Sequence, residues 1–243
     1  MPSTVSKALP FFVVATLEGY AAVQLWPEAP RGALLTATLA LVLAWTSLAT
    51  GWVAVAYGLQ KPTFLLKASP VSWLLLPFTV ASATIARVAR QVGVSERSEV
   101  APGLWVGGWP SASSETWAQV DCTAELPRRG VASEYLCCPM LDGVAPRLNA
   151  MLPAVRQVLA WRSTGRTVLV HCAYGHGRSV IVASAAMVIA GDAPTVDAAI
   201  RHIKSLRPGT RFTASQRQAV TEAVEVLGVS QNCGYSGITQ VKP

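Results

Sequence analysis

The stretch Thr167-Val168-Leu169-Val170-His171-Cys172-Ala173-Tyr174-Gly175-His176-Gly177-Arg178-Ser179 decides the fold of this 243-residue chain. Its first four residues are β-branched or aliphatic, the composition of a buried strand. Residues 180–190 are apolar but for Ser184, a run long enough for a buried helix. A strand, a glycine-punctuated loop and a helix start together predict an anion cradle. Loop amides and the first N–H groups of the helix converge there, and the helix dipole favours negative charge. Gly175 and Gly177 let the backbone curl around a tetrahedral ligand. Arg178 adds a planar fork of donors suited to two oxygens. Cys172 sits at the floor of this electropositive cup, where a thiol ionises readily and becomes a nucleophile.

These residues resemble the signature of the protein-tyrosine-phosphatase superfamily, H-C-x5-R-[S/T], with His171, Cys172, Arg178 and Ser179 at its fixed positions. The flanks are similar to the dual-specificity branch, and Leu104-Trp105-Val106-Gly107 resembles the strand that opens such domains. The resemblance covers residues 100–227 and implies the α/β cysteine-phosphatase fold, a central sheet with flanking helices and a strand–phosphate loop–helix junction. It implies Cys172 as nucleophile, and Arg178 with the backbone of Ala173, Tyr174, Gly175, His176 and Gly177 as phosphate binders. Ser179 donates to the thiolate, and His171 orients the cysteine from beneath.

The general acid is expected on a loop upstream. Asp142 lies among loop-formers in residues 139–146 and occupies the place of the family's acid loop, with Asp121 as the second candidate. Cys122 stands where some members carry a resolving cysteine; a small buried hydrophobe is the other reading. His176 is the one side chain of the loop able to add charge. The loop lacks the lysines or arginines that favour a highly charged inositol substrate. No cofactor and no metal is implied, because the three histidines and five cysteines complete no zinc pattern.

Composition places something else before this domain. Charged residues are only 14% of the chain, against roughly 25% in ordinary soluble domains. The deficit is concentrated in residues 1–90, with six basic side chains (Lys7, Arg31, Lys61, Lys67, Arg87, Arg90) and two acidic ones (Glu18, Glu28). No charge occurs between Arg31 and Lys61, or between Lys67 and Arg87. Both runs approach or exceed the ~20 residues that cross a bilayer. Residues 8–26 are apolar but interrupted by Glu18, which leaves a third span, a targeting sequence and an interfacial helix open. Trp26, Trp52 and Trp73 are candidate interfacial anchors.

The expected organisation is a membrane region over 1–90 with two or three hydrophobic helices, a catalytic domain over 91–229, and an irregular tail over 230–243. Residues 87–99 read as a helix-compatible exit from the membrane. Strands are expected at 104–107, 118–122 and 135–138. An amphipathic helix is expected on Leu148, Leu152, Val155 and Leu159, and Thr213-Ala214-Ser215-Gln216 reads as a capping box opening a last helix that ends at Gly228.

The net charge of +7 suits phosphate substrates or anionic lipid. Scattered basic residues without interleaved aromatics exclude a nucleic-acid partner. A catalytic thiolate needs a reducing compartment. The first expectation is therefore an integral membrane phosphatase acting on phosphoproteins, at tyrosine and at serine or threonine. The alternatives are the same chemistry on a lipid phosphate, or a catalytically silent phosphate-binding adaptor.

Overall fold

The computed structural model describes residues 4–25, 34–65, 72–91, 96–110, 117–129 and 132–234. The chain divides into two compact units, Met1–Gln91 with Ala124–Pro127, and Val92–Thr123 with Arg128–Pro243.

The first unit is helical: α1 (Thr4–Leu25), α2 (Leu34–Gly58), a 3-10 turn (Pro62–Leu65) and α3 (Leu76–Gln91). Within it, Lys7–Leu25 and Thr36–Gly58 are long and apolar enough to cross a membrane. α1 and α2 pack against each other through small residues, which let helix backbones approach closely. A Cβ on Gly19 would stand 3.1 Å from Ser47 Oγ. The Ser47 hydroxyl donates to the Ala15 carbonyl at 2.7 Å. One further turn along, the Thr50 hydroxyl lies 3.1 Å from Glu18 Oε2. Large apolar side chains point the other way, with Leu9, Phe12, Leu17, Val23, Leu41 and Leu48 all exposed. A soluble core helix would bury them.

Among the described residues, the run between Lys67 and Arg87 is α-helical from Leu76, and the 16 residues of α3 reach about 24 Å, short of the ~30 Å hydrocarbon core. Residues 66–71, with Lys67, lie outside the described residues. The segment around Glu18 is helical, and its Lys7–Leu25 stretch is long and apolar enough to cross a membrane, with the Thr50 hydroxyl 3.1 Å from the Glu18 carboxylate. Trp52, on α2, reaches the 3-10 turn that follows it: its indole N–H donates to the Phe64 carbonyl at 3.0 Å, and the two rings stack 5.3 Å apart. Trp73 is exposed, and Trp26 lies outside the described residues.

The second unit holds β1 (Arg97–Ala101), β2 (Leu104–Gly107), β3 (Ala118–Asp121), β4 (Glu134–Cys137), α4 (Leu148–Ser163), β5 (Val168–His171), α5 (Arg178–Ala190), α6 (Val196–Leu206) and α7 (Ala214–Gly234). The sheet order is β1-β2-β5-β3-β4. β1 runs antiparallel to β2, and the other pairs are parallel. Central β5 is buried at all four positions, which explains its unbroken apolar run. The expected central sheet, flanking helices and strand–loop–helix junction are all present.

α5 is buried at ten consecutive residues from Arg178 to Met187, and it stops at Gly191, whose φ of +80° suits glycine. α6 is capped by the Thr195 hydroxyl, which accepts from Ala198 N at 3.2 Å. The capping box of α7 closes in both directions. Gln216 N donates to Thr213 Oγ1 at 3.2 Å, and Thr213 N donates to Gln216 Oε1 at 2.9 Å. Such a cap stabilises a helix by about 1 kcal/mol.

Three local expectations shift. Arg97–Ala101 is an edge strand rather than part of a helix. In α4 the buried face is Met151, Ala154, Val155 and Val158, while Leu148, Leu152 and Leu159 pack at its margin. Small Ala154 lets the helix seat on that face instead of the leucine stripe. α7 continues past Gly228 to Gly234, because a single glycine is tolerated inside a helix at about 1 kcal/mol.

Candidate active site

β5 delivers the motif to the C-terminal edge of the parallel strands, between β2 and β3, where open α/β sheets bind ligands. Cys172 N donates to Gly107 O at 3.2 Å and extends the β2–β5 pairing by one residue. The chain then turns at Gly175, with φ of +70°. A Cβ there would fall 2.5 Å from Gly107 C and 2.6 Å from Arg207 Nη2. Only glycine fits this position.

The Gly175 amide donates to Cys172 Sγ at 3.2 Å, and Ser179 Oγ lies 3.4 Å from the same sulfur. Burial alone would push the Cys172 thiol up. The Arg178 charge and hydrogen bonds from the Ser179 side chain and backbone overcome it, leaving the thiol below its ordinary value.

Arg178 opens α5 with its guanidinium buried. Nη1 donates to the Met140 carbonyl at 3.2 Å, and Nε lies 3.4 Å from Asp142 Oδ1. These contacts draw the 139–143 loop over the motif. The Asp142 side chain stays 59% exposed, so its carboxylate stands at the mouth of the cup with access to water. A Cβ on Gly177 would come within 4.0 Å of Asp142 Oδ1, which places the carboxylate beside the cradle.

His171 lies buried beneath the loop, with Nδ1 3.8 Å from Asp121 Oδ1. Burial pushes its pKa down against the pull of that carboxylate, so the imidazole is neutral. Asp121 is committed elsewhere. It accepts from Thr123 N at 2.8 Å, Thr123 Oγ1 at 2.7 Å and Tyr135 Oη at 2.8 Å. A fully buried acceptor of three bonds is poorly placed to give a proton to a leaving group.

Cys122 is buried beside the site. Its N–H donates to His171 O at 2.8 Å, and the Asp121–His171 register sets its Cα about 5 Å from that of Cys172. Burial, reinforced by the neighbouring Cys138 and Cys172, pushes its thiol well up, so it is protonated at neutral pH. Cys138 is likewise pushed up to about 12 by burial.

His176 folds over Gly209, where a Cβ would meet the imidazole at 2.5 Å. Burial, then Arg207 and Arg211, push its pKa down. The one loop side chain able to add charge is thus held toward its neutral form.

The structure thus gathers Cys172, Arg178, Ser179, Asp142 and the 173–177 backbone around one cup, sets His171 below it, and leaves Asp121 outside. Sequence reasoning missed Arg207, which follows the last turn of α6. Its Nε donates to Gly175 O at 2.8 Å, Nη2 to Tyr174 O at 3.0 Å and Nη1 to Ser98 Oγ at 3.3 Å. The one trace of it in the sequence is an arginine placed before Pro208-Gly209, which reads as no more than a helix stop. Among the described residues, no group of three or more His, Cys, Asp or Glu is placed to hold a metal ion. A thiolate facing amide and guanidinium donors, with a carboxylate at the rim, is suited to a tetrahedral oxyanion.

No family model matches the chain. It is 36% identical over 90 residues to phosphatidylglycerophosphate phosphatase PTPMT2 of Arabidopsis thaliana, a match covering 37% of this chain and 39% of the relative. The chain therefore spans about two fifths of the length of that curated relative. Among solved structures it is similar to Tk-PTP in the active form, at 25% identity and a TM-score of 0.46 over 54% of this chain and 97% of that one. It is also similar to human DUSP28, at 23% identity and a TM-score of 0.47 over 54% and 98%.

Proposed function

We propose that this chain is a membrane-anchored, cysteine-dependent phosphatase that hydrolyses a lipid phosphate monoester through a phosphocysteine intermediate. The observation that carries the reading is the Cys172 sulfur, held below the usual thiol range inside a cradle of amide and guanidinium donors. The thiolate attacks phosphorus in line, forming the S–P bond as the P–O bond to the leaving group breaks. Arg178 and the loop amides carry the charge on the equatorial oxygens. Asp142 gives its proton to the departing alkoxide and then takes one from the water that attacks the phosphocysteine. Ser179 donates to the sulfur as the S–P bond breaks, and His171 holds the cysteine from below. Residues 91–229 carry this chemistry and residues 1–90 the anchor.

Two observations support a lipid substrate over the phosphoprotein first expected. The plant relative is named for a phosphorylated lipid, and α1 and α2 turn large apolar side chains outward. The reading is tested on the full chain in mixed micelles, by phosphate release from phosphatidylglycerophosphate, a phosphotyrosine peptide and a phosphoserine peptide, all with EDTA present. Turnover of the lipid is expected at least about tenfold above either peptide in kcat/KM, a difference of ~1.4 kcal/mol in transition-state stabilisation. Faster turnover of a peptide would return the assignment to phosphoproteins, and no release from any of the three would remove the phosphatase reading.

The same features support one membrane orientation. With α1 and α2 as the two spans, the chain returns to the side on which it began. Lys7, Lys61, Arg87 and Arg97 then fall on the side of the catalytic residues, matching the positive-inside pattern. A low-pKa thiolate needs the same reducing side. Protease added to sealed, right-side-out vesicles is expected to spare residues 97–228 until detergent is added; digestion without detergent would reverse the orientation.

A further inference from the structure

The phosphate loop is held from outside as well as shaped from within. In a planar trans peptide, the carbonyl of one residue and the N–H of the next point in opposite directions. A donor that captures a loop carbonyl on the outer side therefore turns the following N–H inward. Four consecutive carbonyls of this loop are captured in that way. Ala173 O accepts from Trp109 N at 3.1 Å, and His176 O accepts from Arg211 N at 3.0 Å. Between them, Tyr174 O and Gly175 O both accept from the single guanidinium of Arg207, at 3.0 Å and 2.8 Å. The inward consequence is visible at the first of these two planes, where the Gly175 N–H that follows Tyr174 O donates to Cys172 Sγ.

We propose that Arg207 is a positioning residue of the phosphate cradle, bridging two outer carbonyls so that the Gly175 and His176 amides are aimed into the cup before any ligand arrives. The other two captures come from backbone amides, so Arg207 is the member of this collar that a side-chain substitution removes. Its fixity is built in. The guanidinium is buried, its third nitrogen donates to Ser98 Oγ on β1, and Gly175 leaves the space it occupies, since a Cβ there would stand 2.6 Å from Nη2. A lysine has a point charge and no fork, so it satisfies one carbonyl at a time.

The proposal rests on the phosphatase reading for its activity arm and on none of it for its binding arm. In the full chain, Arg207→Met and Arg207→Lys are compared with wild type by three measurements. These are kcat and KM on an aryl phosphate, inhibition by inorganic phosphate, and the pH profile of Cys172 alkylation by iodoacetamide. Displacing oxyanion donors of this kind costs about 10²-fold in kcat, and that loss is expected in both variants. Phosphate inhibition should weaken at least about tenfold, since the same donors hold the free anion. The alkylation profile should move to higher pH, because Gly175 no longer donates steadily to the sulfur. A residue that merely filled space would leave that profile in place.

A wild-type-like lysine variant would overturn the proposal, since charge alone would then suffice. Unchanged phosphate inhibition and an unchanged alkylation profile in a folded methionine variant would overturn it as well. If Arg207→Met does not fold, Arg207→Lys together with Ser98→Ala decides, the latter loosening the third nitrogen. Each should shift the alkylation profile in the same direction by a smaller amount, and two unchanged profiles would overturn the proposal. A wild-type chain that binds phosphate but turns over no ester would fail the phosphatase reading while leaving the positioning role intact.

Discussion

Serine in place of Cys172 is expected to abolish turnover of an aryl phosphate, by at least about 10⁴-fold, while leaving phosphate-ester binding largely unchanged. Sulfur and oxygen differ at this position through acidity. The Arg178 charge and the Ser179 hydrogen bonds bring a thiol below its ordinary value despite burial. The same field is far too weak to ionise an alcohol. The donors that hold the phosphoryl oxygens are the Arg178 fork and backbone amides, and the substitution removes neither. Binding and chemistry should separate cleanly, with inhibition by inorganic phosphate persisting in a dead enzyme. Residual turnover above one hundredth of wild type, on the order of 3 kcal/mol, would take the nucleophile's role away from Cys172.

Asparagine in place of Asp142 is expected to lower kcat by about 10²- to 10⁴-fold for an alkyl or lipid phosphate. An aryl phosphate, whose leaving group needs less help from a proton, should lose much less. The basic limb of the pH–rate profile should flatten, because that limb reports loss of the acid. The Asp142 charge also opposes ionisation of Cys172. Its removal should therefore move the alkylation profile of Cys172 to lower pH, opposite to the shift expected for Arg207 variants. Equal losses on both substrates would reassign the acid. Asparagine at Asp121 should behave differently. That carboxylate accepts three hydrogen bonds in a buried network, so the cost should appear in thermal stability with no dependence on the leaving group.

The sequence shows most plainly those parts whose causes are local. β5 and α5 are buried on all sides, so their apolar runs carry no ambiguity, and the glycines between them mark the turn directly. The capping box at Thr213 needs four residues and is found with four. Asp142 is legible because loop-formers surround it. Elements defined by distant partners are less so. β1 has one fully buried residue, Val100, and takes strand form through its pairing with β2. Arg207 is functional only through carbonyls 32 and 33 positions away, and no periodicity announces such a contact. The face chosen by α4 depends on what it packs against, which favoured Ala154 and Val158 over a regular leucine stripe.

The Glu18–Thr50 contact has a consequence for how the protein is made. A carboxylate near the centre of a lone apolar helix costs about 3 kcal/mol in a bilayer, and α1 carries one before α2 has been synthesised. Its partner lies 32 residues further along, with Ser47 closing on Ala15 at the same separation. In the bilayer proposed for it, α1 is thus incomplete on leaving the ribosome and becomes a comfortable span once α2 joins it, which favours insertion of the two as a hairpin. Cutting α1 away as a leader peptide would turn Ser47 and Thr50 toward lipid. In that proposed bilayer, the polar contacts between the two helices favour biogenesis that keeps both.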